Sequence, residues 1–173
     1  MIILDRKLDT FQQNRLEKQL VKSPLGFIAF GAGSGLIHPA PGTWGSLFAF
    51  FLGFVVVKLG GGTFSLFVLA VVLFLVGIVA SHHTAKALAK NDPSSIVIDE
   101  ISALLFVLAF IPFSWLYWLG AFLLFRIFDI VKPIPVRTVE QRIKGGLGIM
   151  LDDIVAAFYV LTFFLTHFRV IIF

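Results

Sequence analysis

A 173-residue chain that is 58% hydrophobic and holds 21 Phe carries more apolar surface than a soluble domain can bury, and its mean hydropathy of +0.98 points to lipid as the solvent. The formal net charge of +4 does not indicate nucleic acid, because the basic residues lie in short stretches between apolar runs rather than on a soluble face. The sequence has no Cys, which excludes disulfides, thiolate catalysis and sulfur-ligated metals.

The first 22 residues carry Asp5, Arg6, Lys7, Asp9, Arg15, Glu17, Lys18 and Lys22, too many charges for the apolar core of a cleavable signal peptide. Residues 1–24 are therefore expected to stay as a cytoplasmic or interfacial segment. Leu4, Leu8, Phe11, Leu16 and Leu20 form an imperfect stripe for a helix on the membrane surface. Residues 25–173 read as one membrane-embedded domain without repeats. Within it no Asp, Glu, Lys or Arg occurs from Leu25 to Val57, Leu59 to Ser81, Ile101 to Phe125, or Ile154 to Phe168. A span needs roughly 20 apolar residues, so each run supplies a span or part of one.

In chain order, two glycine-dense stretches come first, GAGSGL (31–36) and PGTWGS (41–46). Such turns present backbone N–H groups to a phosphate, with Thr43 or Ser46 capping the following helix and contacting an oxygen; the plainer reading is a turn with a cap. Gly45 to Leu59 then crosses, Gly60 to Gly62 turns, and Thr63 to Ala80 returns. His82 and His83 are adjacent rather than four apart, which suits an interfacial position better than a shared metal, and Lys86 is a candidate phosphate contact.

Ile101 to Phe125 would extend about 37 Å as one helix, against about 30 Å of hydrocarbon. Pro112 breaks it, because Pro removes a backbone donor and clashes with the preceding turn. A hairpin is expected, Ile101 to Ile111 descending and Ser114 to Phe128 returning. It also keeps three basic clusters on one side: residues 6–22, Lys86 with Lys90, and Arg126, Lys132, Arg137, Arg142 and Lys144, which the positive-inside rule assigns to the cytoplasm. The fold class is all-α, a polytopic helical bundle with a Pro-broken hairpin and an acidic site at the cytoplasmic face.

That site comprises Asp99 with Glu100, Asp129, and Asp152 with Asp153. An acid at a helix N-terminus caps it, but neighbouring acids point about 100° apart, so capping explains one of each pair better than both. Asp129 lies near the C-terminal end of its run, where the dipole disfavours an anion, with Arg126 and Lys132 three residues to either side. A structural ion pair would explain it. Ionisable groups at membrane depth are otherwise functional candidates. The hairpin gathers all five carboxylates, and their repulsion is relieved by a hard cation, Mg²⁺, Mn²⁺ or Ca²⁺, of which Mg²⁺ suits phosphoryl chemistry. Arg126, Lys132, Arg137 and Lys144 could hold an anionic lipid headgroup, or serve topology alone.

Taken together, GSGL, PGTWGS, HHTAK, the Asp99–Glu100 pair before an apolar run, FRIFDIVKPIPVR and GGLGIMLDDIVA resemble the signature of the phosphatidylglycerophosphatase A family over most of residues 30–160. The resemblance implies a Mg²⁺-dependent phosphatase of the bacterial cytoplasmic (inner) membrane, its active site facing the cytoplasm, that hydrolyses phosphatidylglycerophosphate to phosphatidylglycerol and phosphate. It makes Asp99, Glu100, Asp129, Asp152 and Asp153 the metal-binding and water-activating groups, and it matches Arg126 and Lys132 to the family's basic positions. Ala103 departs from the family's common glycine, and the Asp92–Ser95 loop also differs. A CDP-alcohol phosphotransferase would also arrange Asp around metal, but its DGxxAR pattern is absent, and a cation transporter would show inverted repeats that this chain lacks.

Overall fold

The computed structural model describes residues 10–131 and 144–168, and among these every regular element is a helix. Helix α1 spans Thr10–Leu20, α2 Pro24–Ala29, α3 Pro41–Lys58, α4 Thr63–Ala87, α5 Ile98–Phe110, α6 Trp115–Val131 and α7 Gly146–His167, with a 3₁₀ segment at Gly31–Leu36. Helices α3, α4 and α7 are long and apolar enough to cross a bilayer. The fold is that of a helical membrane protein.

The break at Pro112 forms as expected. Helix α5 ends at Phe110, Ile111 is extended, and α6 starts at Trp115. Trp118 closes the corner: its indole Nε1 donates to the Ile111 carbonyl at 3.3 Å, and its ring meets Phe113 edge-on at 4.9 Å. Such a bond satisfies a carbonyl the break frees, which matters because lipid offers no replacement partner. At 13 residues α5 extends only about 20 Å. It is the centre of the bundle, packed against α3, α4, α6 and α7, with Ile101, Leu104, Leu105, Val107 and Leu108 buried.

Two boundaries differ from expectation. The last helix begins at Gly146, eight residues before Ile154, so Asp152 and Asp153 sit two turns inside α7 and cap nothing. The physical reason is a close approach: a side chain at Gly146 would collide with the Ile78 carbonyl, and bare glycine lets α7 start directly on α4. Helix α3 begins at Pro41 after Ala40 in the left-handed region, which puts Thr43 and Ser46 inside the helix, so neither caps it. The Ser46 hydroxyl instead donates to the Gly42 carbonyl at 2.9 Å.

Helix α1 rests on protein. Leu16 and Leu20 pack against the core, and the buried Glu17 accepts hydrogen bonds from Ser95 Oγ at 2.8 Å and Gln13 Nε2 at 3.1 Å. Leu4, Leu8, Lys132, Arg137 and Arg142 lie outside the described residues.

Candidate active site

The hairpin brings the start of α5 beside the end of α6, and α7 passes both. A cavity of about 490 Å³ opens there, lined by all five acids, by Arg126, Lys144 and Gly42, and by the Asn91–Ser94 loop. Asp99, Glu100 and Asp153 converge most closely: one carboxylate oxygen from each lies within 4.8 Å of the others. Asp129 and Asp152 line the same cavity outside that triad. Helix α5 starts after Val97, whose side chain makes no cap, and Asp99 and Glu100 both lie in its first turn.

Arg126 is the cation among them. Its Nη1 lies 2.7 Å from Asp129 Oδ2 and 3.6 Å from Glu100 Oε1, and it donates to Ser46 Oγ at 3.3 Å. The ion pair with Asp129 is thus present, and it is part of the cavity wall rather than an alternative to it. Gly42 was not legible as a site residue. A Cβ at this position would strike Glu100 Oε1 and crowd both Nη atoms of Arg126, so the first turn of α3 forms the floor beneath these two groups. Only its place in the PGTWGS stretch hinted at this.

Asp99 Oδ1, Glu100 Oε2 and Asp153 Oδ2 are buried with no hydrogen-bond partner from the protein. Buried anionic oxygens without donors are costly, and each of the three residues that converge contributes one. The donors are all oxygens, without thiolate or imidazole, a set that fits a hard divalent cation. The triad is therefore a candidate metal centre.

Other expected contacts fall elsewhere. Thr43 and Lys86 do not line the cavity; Lys86 is exposed in the last turn of α4. Lys144 and the 91–94 loop do line it. Ala103 is fully buried within α5, where its methyl is accommodated.

The family model described as Phosphatidylglycerophosphatase A matches residues 27–168. A Haemophilus influenzae protein named phosphatidylglycerophosphatase A is 44% identical over 149 residues, covering 86% of this chain and 91% of the relative. An Escherichia coli protein of the same name is 38% identical over 157 residues, 90% of this chain and 88% of the relative. A Bacteroides thetaiotaomicron protein named "Putative phosphatidylinositol-3-phosphatase" is 40% identical over 138 residues, 76% of this chain and 86% of the relative. No solved structure matches the chain.

Proposed function

The chain belongs to the phosphatidylglycerophosphatase A family, and from that membership and its acidic cavity we propose that it hydrolyses phosphatidylglycerophosphate to phosphatidylglycerol and inorganic phosphate. The observation that carries the reading is the convergence of three carboxylates, each with a buried oxygen that has no donor, drawn from α5 and α7. The relative named for a phosphoinositide phosphatase shares a lipid-borne phosphate monoester as its chemistry. Neither the phosphotransferase nor the transporter reading gains support.

The cation is Mg²⁺ in this proposal, held by Asp99, Glu100 and Asp153. When bound it offsets charge on the phosphoryl oxygens and lowers the proton cost of the attacking water. The rest falls to the chain. Arg126, fixed by Asp129, Glu100 and Ser46, lines the cavity as a cation that would offset charge developing on the phosphate. Asp129 and Asp152 line the cavity outside the triad, and in this proposal one of these two takes the water's proton. Water attacks phosphorus, the bond to the glycerol oxygen breaks, and that oxygen leaves with the proton that the carboxylate took from the water. Lys132 and Arg137 bear on the headgroup. The basic flanks support a cavity at the cytoplasmic face of a bacterial inner membrane. In this proposal residues 25–173 are the membrane-embedded catalytic domain, with 1–24 as a cytoplasmic or interfacial N-terminal segment.

The test is phosphate release from phosphatidylglycerophosphate by purified protein, with and without Mg²⁺. Asp99→Asn and Asp153→Asn are expected to lower kcat about 10²-fold or more, as loss of a ligand to a catalytic ion does. Full activity in both variants would sink the site; an inactive wild type would sink the function.

A further inference from the structure

A second groove, of about 410 Å³, adjoins the acidic cavity, and the two share Lys144. Its polar wall is Lys144 with His82 and His83; its apolar wall is Ile78, Val79 and Leu147. The two imidazoles meet edge-on, centroids 6.0 Å apart. The site is built by the close approach of α7 to α4: Gly145, at φ +80°, brings backbone against His82, and Gly146 abuts Ile78 and His82, which sets Lys144 at the junction.

We propose that this groove seats the second phosphate of the substrate, the phosphodiester that joins its headgroup glycerol to the diacylglycerol. The inference rests on the reading that the acidic cavity hydrolyses the terminal monoester. A lipid of this class carries two anionic groups joined by one glycerol, so a protein that places one in an acidic cavity must find a place for the other beside it. The cavity is a poor host for a second anion: its walls carry five carboxylates, and Arg126 already faces Asp129 and Glu100. Lys144 is a strong point donor to phosphate oxygen, and the imidazoles add N–H donors. The groove also opens onto exposed Val79 and Leu147, with Leu75 one turn further along α4, an apolar path for acyl chains. One end of the groove therefore suits a phosphate and the other a hydrocarbon tail, an order matching the substrate's own.

The probes separate the two phosphates. Short-chain dihexanoyl-phosphatidylglycerol carries the diester alone, and inorganic phosphate mimics the monoester alone. In neutral detergent micelles, Lys144→Ala and the double change His82→Ala with His83→Ala are expected to raise KM for phosphatidylglycerophosphate and Ki for dihexanoyl-phosphatidylglycerol about tenfold, as loss of a charge-assisted contact does. In the His82→Ala with His83→Ala protein, whose changes lie off the acidic cavity wall, the Ki of inorganic phosphate should stay within about twofold, and Lys144→Arg should restore most of the affinity lost in Lys144→Ala. Calorimetric binding of dihexanoyl-phosphatidylglycerol reads the same contrast even where turnover is absent. Unchanged constants in active variants overturn the groove assignment alone, whereas wild-type protein inert toward phosphatidylglycerophosphate overturns the hydrolytic reading. A parallel rise in the phosphate Ki of the double histidine variant means general damage to the cavity and also overturns the proposal. An effect that appears only after anionic lipid is added makes the groove a site for bystander lipid, the remaining contrary outcome.

Discussion

Helices α4 and α5 are both strongly apolar, yet they do opposite things. Helix α4 runs 25 residues and leaves Phe64, Val72, Leu75 and Val79 exposed, whereas α5 runs 13 and buries nearly every side chain. The long helix makes the lipid-facing wall; the short one, ringed by neighbours, carries Asp99 and Glu100 at its first turn. Hydropathy marks what lipid tolerates, and the site sits on the helix that lipid barely touches. That arrangement is physically required, because unpaired carboxylates are affordable only where protein or water surrounds them.

The largest break in this comparison should come from one added methyl placed at two glycines. Gly42→Ala pushes on Glu100 and Arg126, while Gly77→Ala on α4 meets the flexible tip of Met150, its Cε 2.7 Å from the new Cβ. Gly42→Ala is expected to lower kcat/KM about 10²-fold, since displacing a reacting group by about 1 Å costs that much, and Gly77→Ala should stay within about threefold. Equal losses would mean that the α3 floor has no special bearing on the acids.

A smaller effect tests the packing. Leu104→Ala in α5 is expected to destabilise by about 1–3 kcal/mol, because in lipid the cavity left behind counts while the transfer term largely cancels. Leu75→Ala, 58% exposed on α4, should cost less than about 0.5 kcal/mol by the same argument. Denaturation in mixed micelles reads both; similar values would erase the distinction between the two helices. Smallest is Trp118→Phe, which removes the bond to the Ile111 carbonyl and should cost about 1 kcal/mol in the same assay.

Much of this was legible in advance, and the reason is cost. Charges at the ends of apolar runs and a proline within one are expensive in a membrane, so Asp99, Glu100, Asp129, Asp152, Asp153 and Pro112 stood out by type and position alone. The hairpin then followed, and the cavity does gather those five acids. What escaped is tertiary. Composition does not reveal that α3 places Gly42 under Glu100, or that bare glycine lets α7 start at residue 146 and turns Asp152 and Asp153 into mid-helix residues. Thr43 and Lys86 were attractive as polar residues near glycine or histidine, but helical phase, which spacing alone does not fix, takes them off the cavity wall. Lys132 and Arg137 lie outside the described residues, and their part rests on sequence.

The hydrogen bond from Ser95 to Glu17 ties the first described helix to the loop whose next-door residues, Ser94 and Ile96, line the cavity. Glu17 precedes residue 27, where the family match begins. The stretch that the family model matches and the stretch that braces the cavity thus have different borders. An expression clone trimmed to residues 27–168 would keep all five cavity acids and lose a buried carboxylate that holds the rim, so boundaries for crystallisation or tagging belong upstream of α1.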